Sequence, residues 1–343
     1  MQVSLYKTRR LFAAAVIGIV SLSTARAAEA QLPTSVMFFG DSFLDTGNGD
    51  IISQALLGVD LTPSPPYAIG RISNGFNWAD YLAARFGRAG DARPSQAPAP
   101  FTGRNYAVGT ATTGLTGAGG LPIGMLAQGA QSPLVLDPTG LYVLFGGAND
   151  LRAAVGLAPL SRAVAIQTAV QNIGTLASGL YSRGARNFLI PSLPDIGRAP
   201  AALGTPDAPI LTASTAQFNF LLSQGIAQAS GLLVGSNIRS LNLNNLFTNI
   251  LFGAATGGTR YGLTNTTTPC LFAPVSCDNA VFADDLHPTT RVHQLIANAA
   301  YARVVFGVDV AVVPEPSTVL LLGFGLLVCG AAARRSHTKR NNV

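Results

Sequence analysis

The sequence predicts an α/β fold, a parallel sheet with helices on both faces. Two observations carry that prediction. Short apolar runs such as Leu141-Tyr142-Val143-Leu144-Phe145 have the length and side chains of buried strands. Between such runs lie long stretches with helical spacing, Arg162–Tyr181 and Thr212–Ser230. Strands that alternate with helices are joined by crossovers, so neighbours run the same way.

The elements follow in order. Ser35–Phe39 is the first strand, ended by Gly40. Ser42 comes just after it, where α/β proteins keep their sites, at the carboxyl rim of the sheet. Taken alone, Gly40-Asp41-Ser42 also suits a plain turn. Leu141–Phe145 is the second strand, and Asn149 follows its glycine-rich exit on the same rim. Asn187–Pro191 is the third, ended by proline, and Ile238–Leu243 the fourth. Two regions break the pattern. Arg93–Phe101 is a loop rich in proline and alanine; Thr110–Gly129 is rich in glycine and threonine. The second is either a mobile wall of a cleft or a surface loop. No repeats are evident, and no Gly-x-Ser-x-Gly elbow is present.

A serine nucleophile needs a base, and the base needs an orienting partner. The chain has three histidines. His337 lies in a basic tail. His293 sits within Thr290–Phe306, a helical run, and reads as a helix-face residue. His287 precedes Pro288, which stops a helix from running through it and suits the start of the next. His287 is therefore in a loop, where it can project into a cleft. Asp284, three residues earlier, can reach its Nδ1–H within a turn; Asp285 is the rival carboxylate. Alone, this stretch also fits an ordinary surface turn.

Taken together, these stretches resemble the GDSL type of the SGNH hydrolase family. Gly40–Asn48 matches the first block, and Ser42 takes the nucleophile's place. Asn105-Tyr106-Ala107-Val108-Gly109 matches the second, with Gly109 as the glycine. Gly146–Asp150 matches the third, with Asn149 as the asparagine; Asp284–Pro288 matches the last, Asp-x-x-His. Gly70–Gly75 with Trp78, and Leu193–Gly197, are similar to supporting stretches of the family. Two positions depart: Phe43 stands where leucine is usual, and Thr110 where a second glycine is common. The resemblance implies a three-layer α/β/α sandwich with a mainly parallel, flavodoxin-like five-stranded sheet. It also implies ester hydrolysis through an acyl-enzyme on Ser42, with His287 as base and acid and Asp284 orienting it. The oxyanion would be held by the N–H groups of Ser42 and Gly109 and the Asn149 amide. Acyl transfer to an alcohol, or deacetylation of a polysaccharide, is the alternative on the same residues. A non-catalytic envelope protein is the more distant one. No cofactor is expected.

The two ends read as addresses. Lys7, Arg9 and Arg10 precede the apolar run Leu11–Leu22, and small residues follow to Ala30, the order of a secretory signal peptide over residues 1–30. At the other end, Pro314-Glu315-Pro316 precedes the apolar run Val319–Ala333 and the basic residues Arg334, Arg335, Lys339 and Arg340. Residues 313–343 resemble a PEP-CTERM sorting signal of Gram-negative bacteria. That implies processing by signal peptidase and exosortase, a passing membrane attachment, and an envelope or extracellular destination. A permanent single-span anchor is the alternative. The hydrolase domain would then be residues 31–312.

The pI of about 9.5 comes from these ends. They hold eight of the 22 basic and two of the 16 acidic residues, which leaves 14 of each. A neutral body argues against nucleic acid; the resemblance implies an ester or lipid, or an acylated polysaccharide, as substrate. Cys270 and Cys277 would lie in an exported body, which predicts a local disulfide pinning the loop before Asp284. Two free thiols are the alternative, and no third ligand nearby suits a metal.

Overall fold

The structure is a computed structural model that describes residues 32–60 and 62–308. The expected signal peptide and the sorting segment, with its apolar run, lie outside the described residues. Among the described residues, no helix is long and apolar enough to cross a membrane.

In chain order the elements are β1 (Val36–Gly40), α1 (Asn48–Leu57), α2 (Trp78–Arg85), α3 (Met125–Gln131), β2 (Leu141–Phe145), α4 (Ala148–Ala154), α5 (Pro159–Ser182), β3 (Asn187–Pro191), α6 (Asp207–Leu232), β4 (Asn237–Leu241), α7 (Leu243–Ala255) and α8 (Thr290–Phe306). The four strands are parallel, in the order β1-β2-β3-β4. All residues of β1 and β2 are buried. Runs apolar on both faces are what a doubly covered parallel sheet requires. Helices α3, α4 and α6 pack with α5, and α2 packs with α8 as a separate pair. The buried residues of α5, Ile166, Ala169, Val170, Ile173, Leu176, Ala177 and Leu180, recur at helical spacing and form its inner stripe.

The expected fifth strand is absent as a regular element, and its position is filled. Residues 104–108 run beside β1: Phe38 N–H donates to the Arg104 carbonyl (3.2 Å), and Tyr106 N–H to the Phe38 carbonyl (2.8 Å). Val108 N–H then donates to the Gly40 carbonyl (3.1 Å). The ladder ends because a side chain from α3 intervenes. Gln128 Oε1 accepts from Gly40 N–H, and its Nε2 donates to the Gly40 carbonyl, both at 2.8 Å. With this segment included, the spatial order in chain terms is 2-1-3-4-5, the flavodoxin-like arrangement.

Gln128 belongs to the glycine- and threonine-rich segment. That segment is tied down: Thr113 donates to Asp150 through N–H (2.9 Å) and hydroxyl (2.7 Å). Its end, from Met125, is the helix α3 rather than loop.

Candidate active site

β1 delivers Ser42 to the rim. Its last residue must be glycine, because a Cβ on Gly40 would fall 2.0 Å from the Phe145 carbonyl oxygen of β2. Leu44 and Asp45 N–H groups both return to the Asp41 carbonyl at 3.0 Å, closing a tight turn around Ser42. Asp41 itself is buried, and its Oδ1 accepts from Phe43 N–H (3.1 Å). Burial pushes its carboxyl up to about 7, against the pull of that N–H and of the nearby His287.

Asp45 had no assigned role, yet it organises the turn. Its Oδ1 accepts from Gly47 and Asn48 N–H, both at 2.8 Å, and its Oδ2 from Gly49 (2.9 Å) and Gly109 (2.6 Å). Burial raises its pKa to about 6, while the N–H groups pull it down, so at neutral pH they hold the anion. The start of α1 faces the same carboxylate, which its dipole favours. Asn48 Nδ2 donates to the Asn105 (2.7 Å) and Ala107 (2.8 Å) carbonyls, and Asn105 Nδ2 donates back to the Leu44 carbonyl (2.7 Å). These contacts stitch the first and second blocks together.

The Asp45 contact alters one expectation. Gly109 N–H, expected to face the oxyanion, is spent on Asp45. Ala111 N–H returns to the Val108 carbonyl (3.2 Å), so residues 108–111 form a turn. Its left-handed residue is Thr110, at φ 67°, not Gly109. A turn with positive φ only at its third residue is type II, which normally places glycine there. The signal was present in the sequence, since Thr110 is where a second glycine is common.

The base arrives on an irregular stretch between Cys277 and α8. His287 Nε2 is 2.8 Å from Ser42 Oγ, and His287 Nδ1 is 2.8 Å from Asp284 Oδ2 and 2.9 Å from Oδ1. An ionised carboxylate only accepts, so Nδ1 carries the proton and Nε2 accepts from the serine hydroxyl. Asp284 Oδ1 also accepts from Leu286 (2.9 Å) and His287 (2.7 Å) N–H. Burial would raise the Asp284 pKa, but the hydrogen bonds and charge of His287 and these N–H groups outweigh it and hold it at about 2. Asp285, the rival, is exposed.

Asn149 opens α4 at the exit of β2, and its Nδ2 donates to the Ala111 carbonyl (2.9 Å). An amide nitrogen carries a second hydrogen, and the first contact fixes its direction. His293 lies on α8, as expected, and on its inward face, 1% exposed. Phe43 stands between the two imidazoles, 5.8 Å from His287 and 6.0 Å from His293. Burial pushes His293 down to about 3, so it stays neutral. A disulfide joins Cys270 and Cys277, with Cα atoms 5.1 Å apart.

A serine, an imidazole and a carboxylate in hydrogen-bonded series at the carboxyl rim of a parallel sheet define an α/β protein with a nucleophile triad. The chain belongs to the GDSL-like lipase/acylhydrolase family, whose model matches residues 36–300. The PEP-CTERM protein-sorting motif matches residues 312–336. Among curated proteins, the chain is similar to esterase EstA of Pseudomonas aeruginosa, 27% identical over 87% of this chain and 51% of that protein. It is also similar to the thermolabile hemolysin of Vibrio parahaemolyticus, 25% identical over 76% of this chain and 62% of that one. The chain spans about half the length of the first curated relatives it matches. Among solved structures, the acetylxylan esterase Axe2 of Geobacillus stearothermophilus aligns with a TM-score of 0.45 and 13% identity, over 81% of this chain and 96% of that one.

Proposed function

We propose that the protein is a serine hydrolase of carboxylic esters that works through an acyl-enzyme on Ser42. The observation that carries this reading is the continuous series Ser42 Oγ, His287 Nε2, His287 Nδ1, Asp284, with contacts of 2.8 Å at both imidazole nitrogens. Ser42 Oγ attacks the ester carbonyl carbon while its proton passes to His287 Nε2. Asp284 stabilises the imidazolium that forms. Collapse of the tetrahedral species breaks the acyl carbon–oxygen bond, and the same proton goes to the leaving alcohol. Water then repeats the sequence on the acyl-enzyme and frees the acid.

The oxyanion donors we assign are the Ser42 N–H and the second hydrogen of the Asn149 amide. The Gly109 N–H, the third donor that the resemblance implies, is engaged with Asp45. The sorting motif and the charge–apolar–small order of residues 1–30 support export, with removal of the carboxyl-terminal span at the envelope.

The test is purified Ser42→Ala. It should keep the wild-type circular dichroism, fail to react with a fluorophosphonate, and lose p-nitrophenyl ester turnover by about 10⁴-fold or more. Retained turnover would reject the assignment.

A further inference from the structure

Among the described residues, Asp284 has a side-chain partner that the acyl-transfer series does not use. Tyr67 Oη donates to Asp284 Oδ2 at 2.9 Å, from a segment 217 residues earlier in the chain. We propose that Tyr67 is a positioning residue of the site: it orients the Asp284 carboxylate and sets the basicity of His287 through it. This rests on the reading of Ser42, His287 and Asp284 given above.

The argument starts from the carboxylate. Asp284 is 8% exposed, so each of its oxygens needs protein partners. Oδ1 takes two backbone N–H groups and the imidazole. Among the described residues, Oδ2 takes the imidazole and the Tyr67 hydroxyl. Tyr67 therefore fixes the rotation of the carboxylate about its last bond. It also withdraws electron density from the oxygen that binds Nδ1–H. A carboxylate that donates less charge stabilises an imidazolium less, so the hydroxyl tempers the help that Asp284 gives to the ring. Burial and the Asp284 charge push the Tyr67 phenol above its usual range, so it remains a donor at any working pH.

Tyr67 is itself supported. Its ring meets Phe272 edge-on, centroids 5.8 Å apart, and Phe272 lies inside the loop closed by Cys270 and Cys277. Leu271 N–H from that loop donates to the Ala283 carbonyl (2.9 Å), next to Asp284. On the other side, Ser73 Oγ donates to the Pro288 carbonyl (2.9 Å), and Thr290 N–H donates to Asn74 Oδ1 (2.8 Å). The segment from Tyr67 to Asn74 is thus a brace along the base-bearing stretch. The other ionisable groups facing this arrangement are Asp41 and His293, which face His287, and Asp285, which faces Tyr67.

The experiment compares wild type with Tyr67→Phe, which keeps the ring on Phe272 and removes only the hydroxyl. The His287 pKa is read in two ways: from NMR titration of its ring protons, and from the acidic limb of kcat/KM on p-nitrophenyl acetate. The expected result is a rise of roughly half to one pH unit in both, with kcat lowered about 3- to 10-fold and KM unchanged. Reduction of the disulfide should move the limb the same way in wild type and less in Tyr67→Phe, because the two changes share one link. A side chain that merely fills space would leave the limb in place. An unmoved His287 titration in folded Tyr67→Phe overturns the inference. Absence of turnover in wild type overturns the ester-hydrolase reading instead, and the NMR titration still decides the role of Tyr67.

Discussion

Ser42 leaves a strand whose every residue is buried and which is bonded along both edges. His287 leaves a stretch with no strand or helix of its own, held by an isolated bridge, a disulfide and side-chain hydrogen bonds from Tyr67, Ser73 and Asn74. Ser42 is positioned by the core, His287 by clamps. Errors on the two sides should therefore have different signatures. On the strand side, chemistry can fail while the fold stands. On the clamp side, local order and chemistry fail together.

The largest effect that tests this contrast is on the strand side. Asn149→Ala removes an amide whose anchor is one carbonyl at the rim, and kcat should fall by about 10²–10³ with the melting temperature unchanged. A matching loss of stability would break the comparison. On the clamp side, replacing Cys270 and Cys277 together by serine should cost about 2.5 kcal/mol in urea unfolding, the entropy of closing so short a loop. A cost near zero would leave the hydrogen bonds as sufficient clamps.

Asp41 gives a pH signature confined to the strand side. Its carboxyl binds a proton in the folded protein up to about pH 7, whereas an unfolded aspartate loses it near 4. Stability from this group is thus full below about pH 4 and falls as pH rises toward 7, by up to about 1.4 kcal/mol per unit. Asp41→Asn should flatten that slope in thermal melts taken between pH 4 and 7. An unchanged slope would assign the pH dependence to other groups.

The smallest effect sharpens the turn at the second block. Thr110→Gly removes a β-branched side chain from φ 67° and adds freedom to the unfolded chain. The net gain should be about 0.5 kcal/mol in thermal or urea unfolding. A loss of stability would mean that the threonine side chain holds the turn.

Much of the strand side was legible in the sequence. Leu141–Phe145 and Asn187–Pro191 announce themselves as apolar pentads between helical patterns, and local composition suffices for that. Ser42, Asn149, Asp284 and His287 stood out because their residue types and chain positions follow strand exits and a proline stop. What stayed hidden depends on contacts across long separations. The fifth place in the sheet is taken by residues 104–108 without a regular ladder, because Gln128 takes Gly40 N–H from 88 residues away. His293 has an ordinary helical neighbourhood, and only the packing of α8 shows that it faces inward. Tyr67 carries no local mark at all; its partner lies 217 residues downstream. The engagement of the Gly109 N–H stays hidden for a subtler reason. Its N–H sits in the right block, and the carboxylate that claims it belongs to the first.

The separation of 245 positions between Ser42 and His287 also imposes a timetable. A chain that emerges amino end first presents its hydroxyl early and its imidazole late. The last of the described clamps on the imidazole stretch forms when Thr290, at the head of α8, reaches Asn74 and Tyr81. On the proposed chemistry, a chain cut short of Thr290 is inert toward esters, and competence follows the arrival of that residue.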